Sequence, residues 1–100
     1  MILGLIREYK YPPDRRVALS PKQCQRIQSS FSDIKIKVQS SPNRIFKDDD
    51  YRKCDIEVSE NMSDCTILLG IKEVPPEYLL ENKTYMFFSH TINQENITSD

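Results

Sequence analysis

The sequence is short of the residues on which most enzyme motifs are built. Its 100 residues include one histidine, two glycines and three cysteines. Gly4 and Gly70 both fall inside apolar runs, and no GxGxxG occurs. The dinucleotide fingerprint, which needs glycines in a strand-to-helix turn, is therefore absent, as is a phosphate loop. A single histidine without a nucleophile elbow leaves the Ser/His/Asp class without a motif. One histidine with scattered cysteines gives no metal-ligand spacing, so no metal is expected. Cys24, Cys54 and Cys65 form no CxxC pair and read as small buried or half-buried hydrophobes of a protein inside the cell.

Long apolar runs are missing too. The opening MILGLI meets Arg7-Glu8 after six residues, too soon for a signal-peptide core. Nothing approaches the roughly 20 apolar residues that span a bilayer. No membrane partner is expected, and the location expected is cytoplasmic, or mitochondrial in a eukaryote. Without a secretory signal, the Asn-x-Ser/Thr triplets at Asn61, Asn82 and Asn96 are read as coincidence. Lys and Arg number 14 against 15 Asp and Glu, a net charge of −1, with no basic stripe interleaved with aromatics. That argues against a nucleic-acid partner.

What is present reads as one α/β domain. Residues 2–6 predict a first strand, and residues 7–16 a polar loop broken by Pro12-Pro13. Ser20, Pro21 and Gln23 stand at the N-cap, first-turn and capping-box positions of a helix running to about Ser29. Residues 34–38 alternate apolar and polar, which predicts a strand with one wetter face near a sheet edge. Asp48 is placed as the cap of a short helix through Cys54, followed by a short strand at Ile56 and Val58. A helical turn is predicted within residues 59–64. TILLGI then forms a strand ending at Lys72, Pro75-Pro76-Glu77 start a short helix, and TYMFFS forms a strand ending at His90. Alternating strands and helices predict a three-layer, flavodoxin/Rossmann-like, mainly parallel sheet with helices on both faces. The domain is expected over residues 1–92, with a polar tail at 93–100.

The chemistry is expected where strands end. In open α/β sheets, ligands are met at the carboxyl ends of the strands. Lys72 ends one apolar strand and His90 the next. A partly desolvated lysine and an imidazole are both suited to moving protons at neutral pH. The plainer readings are a lysine extending into water and a structural histidine beside aromatics. Glu73 follows Lys72 but points to the other side of an extended chain. It tunes the local field or is a solvated loop carboxylate. Arg15 and Arg16 lie in the loop after the first strand, on the same rim; a guanidinium is the natural clamp for a carboxylate, and both also read as solvated loop charges. Arg7 is a weaker candidate of the same kind.

Four segments, in order, resemble one enzyme superfamily. REYKYPPDRRVALSPKQ (7–23), FKDDDYRKCDIEV (46–58), ILLGIKEVP (67–75) and KTYMFFSHTI (83–92) are similar to the amino-terminal domain shared by alanine dehydrogenases, pyridine nucleotide transhydrogenases and saccharopine dehydrogenases. The last segment is nearest to the lysine–ketoglutarate reductase and saccharopine dehydrogenase branch. The resemblance implies a two-domain enzyme in which this domain carries substrate and acid–base groups and a separate Rossmann domain binds NAD or NADP. It implies that Lys72 and His90 are catalytic, that Arg16 holds a substrate carboxylate, and that Glu73 adjusts their balance. An amino-acid or 2-oxo-acid substrate is implied, with no cofactor bound by this chain alone and little activity without the missing half. A lysine frequent in the saccharopine branch three residues after the histidine is here Asn93. A truncated sheet exposing apolar surface is expected to favour a homo-oligomer. The alternative is a non-enzymatic α/β protein-binding module that uses the strand rim or the edge at residues 34–38.

Overall fold

The computed structural model describes residues 1–9, 15–72 and 74–88. Helix α1 (Pro21–Ser30) begins as its sequence requires. The Ser20 hydroxyl accepts the Gln23 N–H at 3.2 Å, and the Gln23 side chain accepts the Ser20 N–H at 2.8 Å. Two orphan donors of the first turn are thus satisfied, with Pro21 preset in helical φ. The helix turns Cys24 fully inward.

Helix α2 (Asp48–Arg52) is shorter, and its cap differs from the expectation. Lys47, not Asp48, is the N-cap, and its N–H donates to Asp50 at 2.8 Å. The Asp48 carboxylate is drawn elsewhere. It accepts the Ser40 hydroxyl at 2.6 Å, the Ser41 N–H at 3.2 Å and Arg44 Nη2 at 2.5 Å. Three acidic residues in the first turn and Arg52 in the last still complement the helix dipole.

The described strands are β1 (Ile2–Leu5), β2 (Lys35–Gln39), β3 (Glu57–Ser59), β4 (Ile67–Gly70) and β5 (Thr84–Phe87). They form one sheet in the order β3-β2-β1-β4-β5, every pair parallel. Leu5 stands beside Val38 on one side and Leu69 on the other. The chain builds outward from β1 to β3, then returns to the opposite side of β1 to lay down β4 and β5. The carboxyl ends of β1 and β4 therefore flank a topological switch point.

Alternation divides the core. On one face Leu5, Ile36, Val38 and Leu69 pack with Cys24, Tyr51 and Ile56 under α1 and α2. On the other, Leu68 packs with Met62 and Cys65, joined by Ile2, Ile6 and Tyr85. Gly4 makes the second face close. A Cβ there would lie 2.7 Å from Cys65 Sγ and Leu68 Cδ2 and 2.8 Å from Met62 Cε. The α/β sheet architecture is thus the one expected, although among the described residues the second face is covered by a connection and a single 3₁₀ turn (Pro76–Tyr78).

Three local expectations are corrected. β2 lies near a sheet edge as expected, one strand in from β3, but it is paired on both sides and buried from Ile36 to Gln39, so it offers neither a wetter face nor an edge to a partner. Its alternating pattern comes from a buried cation. Lys37, 6% exposed, donates to both oxygens of Asp64 at 2.8 and 2.9 Å and to the Asn61 carbonyl at 3.2 Å. Glu57 stands 3.7 Å away. Second, residues 59–64 contain a hydrogen-bonded turn closed by Cys65 N–H to Met62 O at 3.1 Å, not a helical turn. Third, the segment after Pro75 leaves Tyr78, Leu79 and Leu80 exposed. Among the described residues no helix is long and apolar enough to cross a membrane.

Candidate functional site

The rim at the switch point is built by the chain leaving β1. Ile6 N–H donates to Leu69 O at 3.0 Å, the last backbone bond between these two strands. Beyond it the strands diverge and side chains take over. The Glu8 carboxylate accepts the Ile71 N–H through Oε2 and the Lys72 N–H through Oε1, both at 2.9 Å. Ile71 is buried and Lys72 half-buried. A carboxylate is thus fastened to the backbone at the point from which the Lys72 side chain departs.

Arg16 opens onto the same rim. It lines a crevice with Glu8, Ile6, Val17, Ser41 and Arg44, over the α1–α2 face of the sheet. The crevice has a volume of only about 20 Å³, room for about one water. A substrate-sized molecule meets it at the mouth, where Arg16 is exposed. Arg15 is exposed as well, and its carbonyl accepts the Ile45 N–H at 2.9 Å. Glu73 and His90 lie outside the described residues.

Arg7 is committed to structure. Its guanidinium pairs with both oxygens of Glu60 at 2.8 Å and donates to the Ser40 carbonyl at 3.0 Å, while its N–H donates to Gln39 Oε1 at 3.0 Å. The Glu60 bonds raise the basicity of Arg7 further, and Arg7 in turn holds the Glu60 carboxyl below its ordinary value. Tyr9, beside it, stacks on Tyr78 with ring centroids 4.6 Å apart.

Two residues that shape this rim carried no sequence signal. Glu8 looked like any charged residue after a strand. Arg44 sat in a polar turn cluster, yet it is buried over the Tyr51 ring at 5.0 Å. It donates to the Gln39 carbonyl at 2.7 Å, the Phe46 carbonyl at 3.1 Å and Asp48. Burial lowers its pKa against the opposing pull of Tyr51 and Asp48. A second crevice, about 160 Å³, lies over the opposite face between Ile6, Tyr9, Leu68, Tyr78, Leu80 and Tyr85.

Neither of the buried cysteines, Cys24 and Cys65, is an activated nucleophile. Burial pushes the Cys24 thiol up to about 12 and also raises that of Cys65, whereas a reactive cysteine needs its pKa lowered. Among the described residues no group of His, Cys, Asp or Glu could hold a metal ion.

Comparison with known proteins gives the fold and rim a lineage. The family described as Alanine dehydrogenase/PNT, N-terminal domain, matches residues 4–100. The chain is 36% identical over 94 residues to an alpha-aminoadipic semialdehyde synthase of Arabidopsis thaliana, covering 90% of this chain and 9% of that protein. It is 34% identical over 94 residues to the mitochondrial alpha-aminoadipic semialdehyde synthase of Bos taurus and 33% to that of Rattus norvegicus, in each case over 94% of this chain and 10% of the relative. The chain therefore spans about a tenth of the length of these relatives. With the match running through both Arg16 and Lys72, this chain belongs to the alanine dehydrogenase/PNT N-terminal domain family.

Proposed function

We propose that this domain is the substrate-binding and acid–base half of an NAD(P)-dependent oxidoreductase acting on the CH–NH group of an amino acid, of the saccharopine or lysine–2-oxoglutarate type. The observation that carries the reading is the switch-point rim. There Arg16 lines the same crevice as Glu8, and Glu8 is bonded to the backbone of Lys72. The relatives' names favour the lysine side over the alanine side. Alpha-aminoadipic semialdehyde is lysine with its terminal aminomethyl group replaced by an aldehyde. A mitochondrial location in a eukaryotic host agrees with the names of the animal relatives.

Joining an amine to a 2-oxo acid passes through a carbinolamine, which loses water to give an imine. A proton must leave nitrogen and another must reach the departing oxygen. Two neighbouring groups of different basicity suit that exchange, and Lys72 and His90 are assigned to it. Arg16 is assigned to a substrate carboxylate, because its planar fork can grip both oxygens, and Glu73 to the local field. The chain's own residues do not fit a dinucleotide. Both glycines lie within strands, one of them packed against Cys65 and Leu68, and no glycine-rich turn opens a helix. The hydride carrier is assigned to a separate domain.

The test is kinetic. Joined to a nucleotide-binding half, the domain should support NAD(P)H oxidation that depends on lysine and 2-oxoglutarate. Lys72→Met and His90→Gln should each lower turnover more than ~100-fold. Wild-type rates in both variants would overturn the assignment.

A further inference from the structure

We propose that Glu8 is the positioning residue of Lys72, a carboxylate latch that fixes the backbone from which that side chain enters the rim. The inference rests on the assignment of Lys72 to proton transfer and adds a residue to it.

The need for a latch follows from the topology. Parallel strands at a switch point separate as they leave the sheet, because β1 and β4 lead to connections on opposite sides. The β1–β4 ladder ends at Ile6 N–H to Leu69 O. The next two β4-side donors, the amides of Ile71 and Lys72, turn to Glu8 just where Ile71 is buried. Buried backbone donors require acceptors. Glu8 supplies both at once, one oxygen for each N–H at 2.9 Å. Two parallel bonds from one rigid carboxylate fix orientation as well as position, as a single bond would not. Proton transfer is sensitive to that precision, since a displacement of about 1 Å can cost about 100-fold in rate.

Glu8 is itself well seated. It is flanked by Arg7, whose N–H and guanidinium tie residue 7 to Gln39, Ser40 and Glu60. The latch therefore connects the β2–β3 side of the sheet, through β1, to the backbone of Lys72. Replacing Glu8 by Gln keeps size and removes one acceptor, because the amide nitrogen can only donate. Glu8→Asp keeps the charge on an arm one carbon shorter.

Amide hydrogen exchange and NMR on this chain test the latch directly. Wild-type Ile71 and Lys72 amides should be protected to the level of the β4 amides, a measurement that needs no variant; exchange at loop rates would overturn the proposal. In Glu8→Gln the protection of these two amides should fall. The Lys72 side-chain methylene signals should move toward those of a freely rotating lysine, while signals of the α1–α2 face stay in place. Unchanged Lys72 side-chain signals would reduce Glu8 to a structural residue and sink the idea. In the joined dehydrogenase, Glu8→Gln should lower kcat about 10- to 100-fold with KM within about threefold, and Glu8→Asp should recover part of it. If Lys72→Met abolishes turnover while Glu8→Gln leaves kcat intact, the latch fails and the role of Lys72 stands. If Lys72→Met leaves turnover intact, the assignment of Lys72 fails whatever the amides show.

Discussion

The two sides of β1 are held by different means. On the β2–β3 side, charge is locked into the scaffold. Lys37 is buried against Asp64, Arg44 against Asp48 and Tyr51, and Arg7 is clamped on Glu60. On the β4–β5 side, the charged groups hold backbone instead. Glu8 takes the Ile71 and Lys72 amides, and Lys83 donates to the carbonyls of Ser63 and Cys65. That side also leaves Tyr78, Leu79, Leu80, Met86 and Phe88 substantially exposed. One half is held by internal charge pairs and serves as a frame, with Phe31 and Ile45 exposed at its surface. The other carries the candidate chemistry and presents an apolar surface.

The comparison can be broken most forcefully at Tyr51, which is fully buried and donates its hydroxyl to the Leu19 carbonyl at 2.8 Å. Tyr51→Ala should destabilise by about 3–5 kcal/mol, the cost of emptying a large aromatic site, measured as a lower urea midpoint. A loss below about 1 kcal/mol would mean that the helical face is not the frame. Arg44→Met comes next. It removes the cation paired with Asp48 and the donor to the Gln39 and Phe46 carbonyls, and should cost about 3 kcal/mol in the same titration.

Acid should act on the charge-paired half third. Hydrogen bonds from Lys37, Lys35 and Arg7 hold Asp64, Glu57 and Glu60 below ordinary carboxylate values. For Asp48, burial pushes upward, but the Ser40 and Ser41 bonds and the charge of Arg44 outweigh it, and its value is lowered too. Each depressed carboxyl contributes stability above its unfolded value near 4, and that contribution disappears as pH falls through the folded value. Thermal midpoints should therefore drop below about pH 4, and Asp64→Asn should show a shallower drop than wild type; identical slopes would remove Asp64 from the account. Lys37 gives the opposite limb. Its raised value, caused first by the Asp64 bond, means a contribution lost only as pH rises through the folded lysine value. The smallest effect belongs to the open half. Met86→Lys on the exposed face of β5 should change the stability of this chain by less than about 0.5 kcal/mol. A larger loss would show that β5 is packed more tightly than its exposure says.

Local chemistry was readable where it is self-contained. The box at Ser20 and Gln23 needs only three residues of spacing, and it formed as written. The apolar strands β1 and β4 were evident from continuous runs, because a strand buried on both faces has no polar side to interrupt it. The reading failed where a distant partner changes a residue's meaning. The lysines of β2 imitated a wetter face because nothing local says that Asp64, 27 residues away, neutralises Lys37. Asp48 imitated a cap because Arg44 and Ser40 had not yet claimed it. Of the rim, Lys72 and Arg16 were legible through strand end and family pattern. Glu8 was not, because its partners lie 63 and 64 residues on.

The sequence alone determined the α/β class, the helix start at Ser20, the apolar strands, and the family that supplies Arg16, Lys72, Glu73 and His90 as candidates. Those follow from period, capping and local pattern, which act over a few residues. Only the tertiary structure decided the strand order 3-2-1-4-5, the burial of Lys37 and Arg44, and the seizure of the Lys72 backbone by Glu8. These depend on which side of β1 the returning chain takes, and on charges brought together by that choice. No local signal in the chain encodes either.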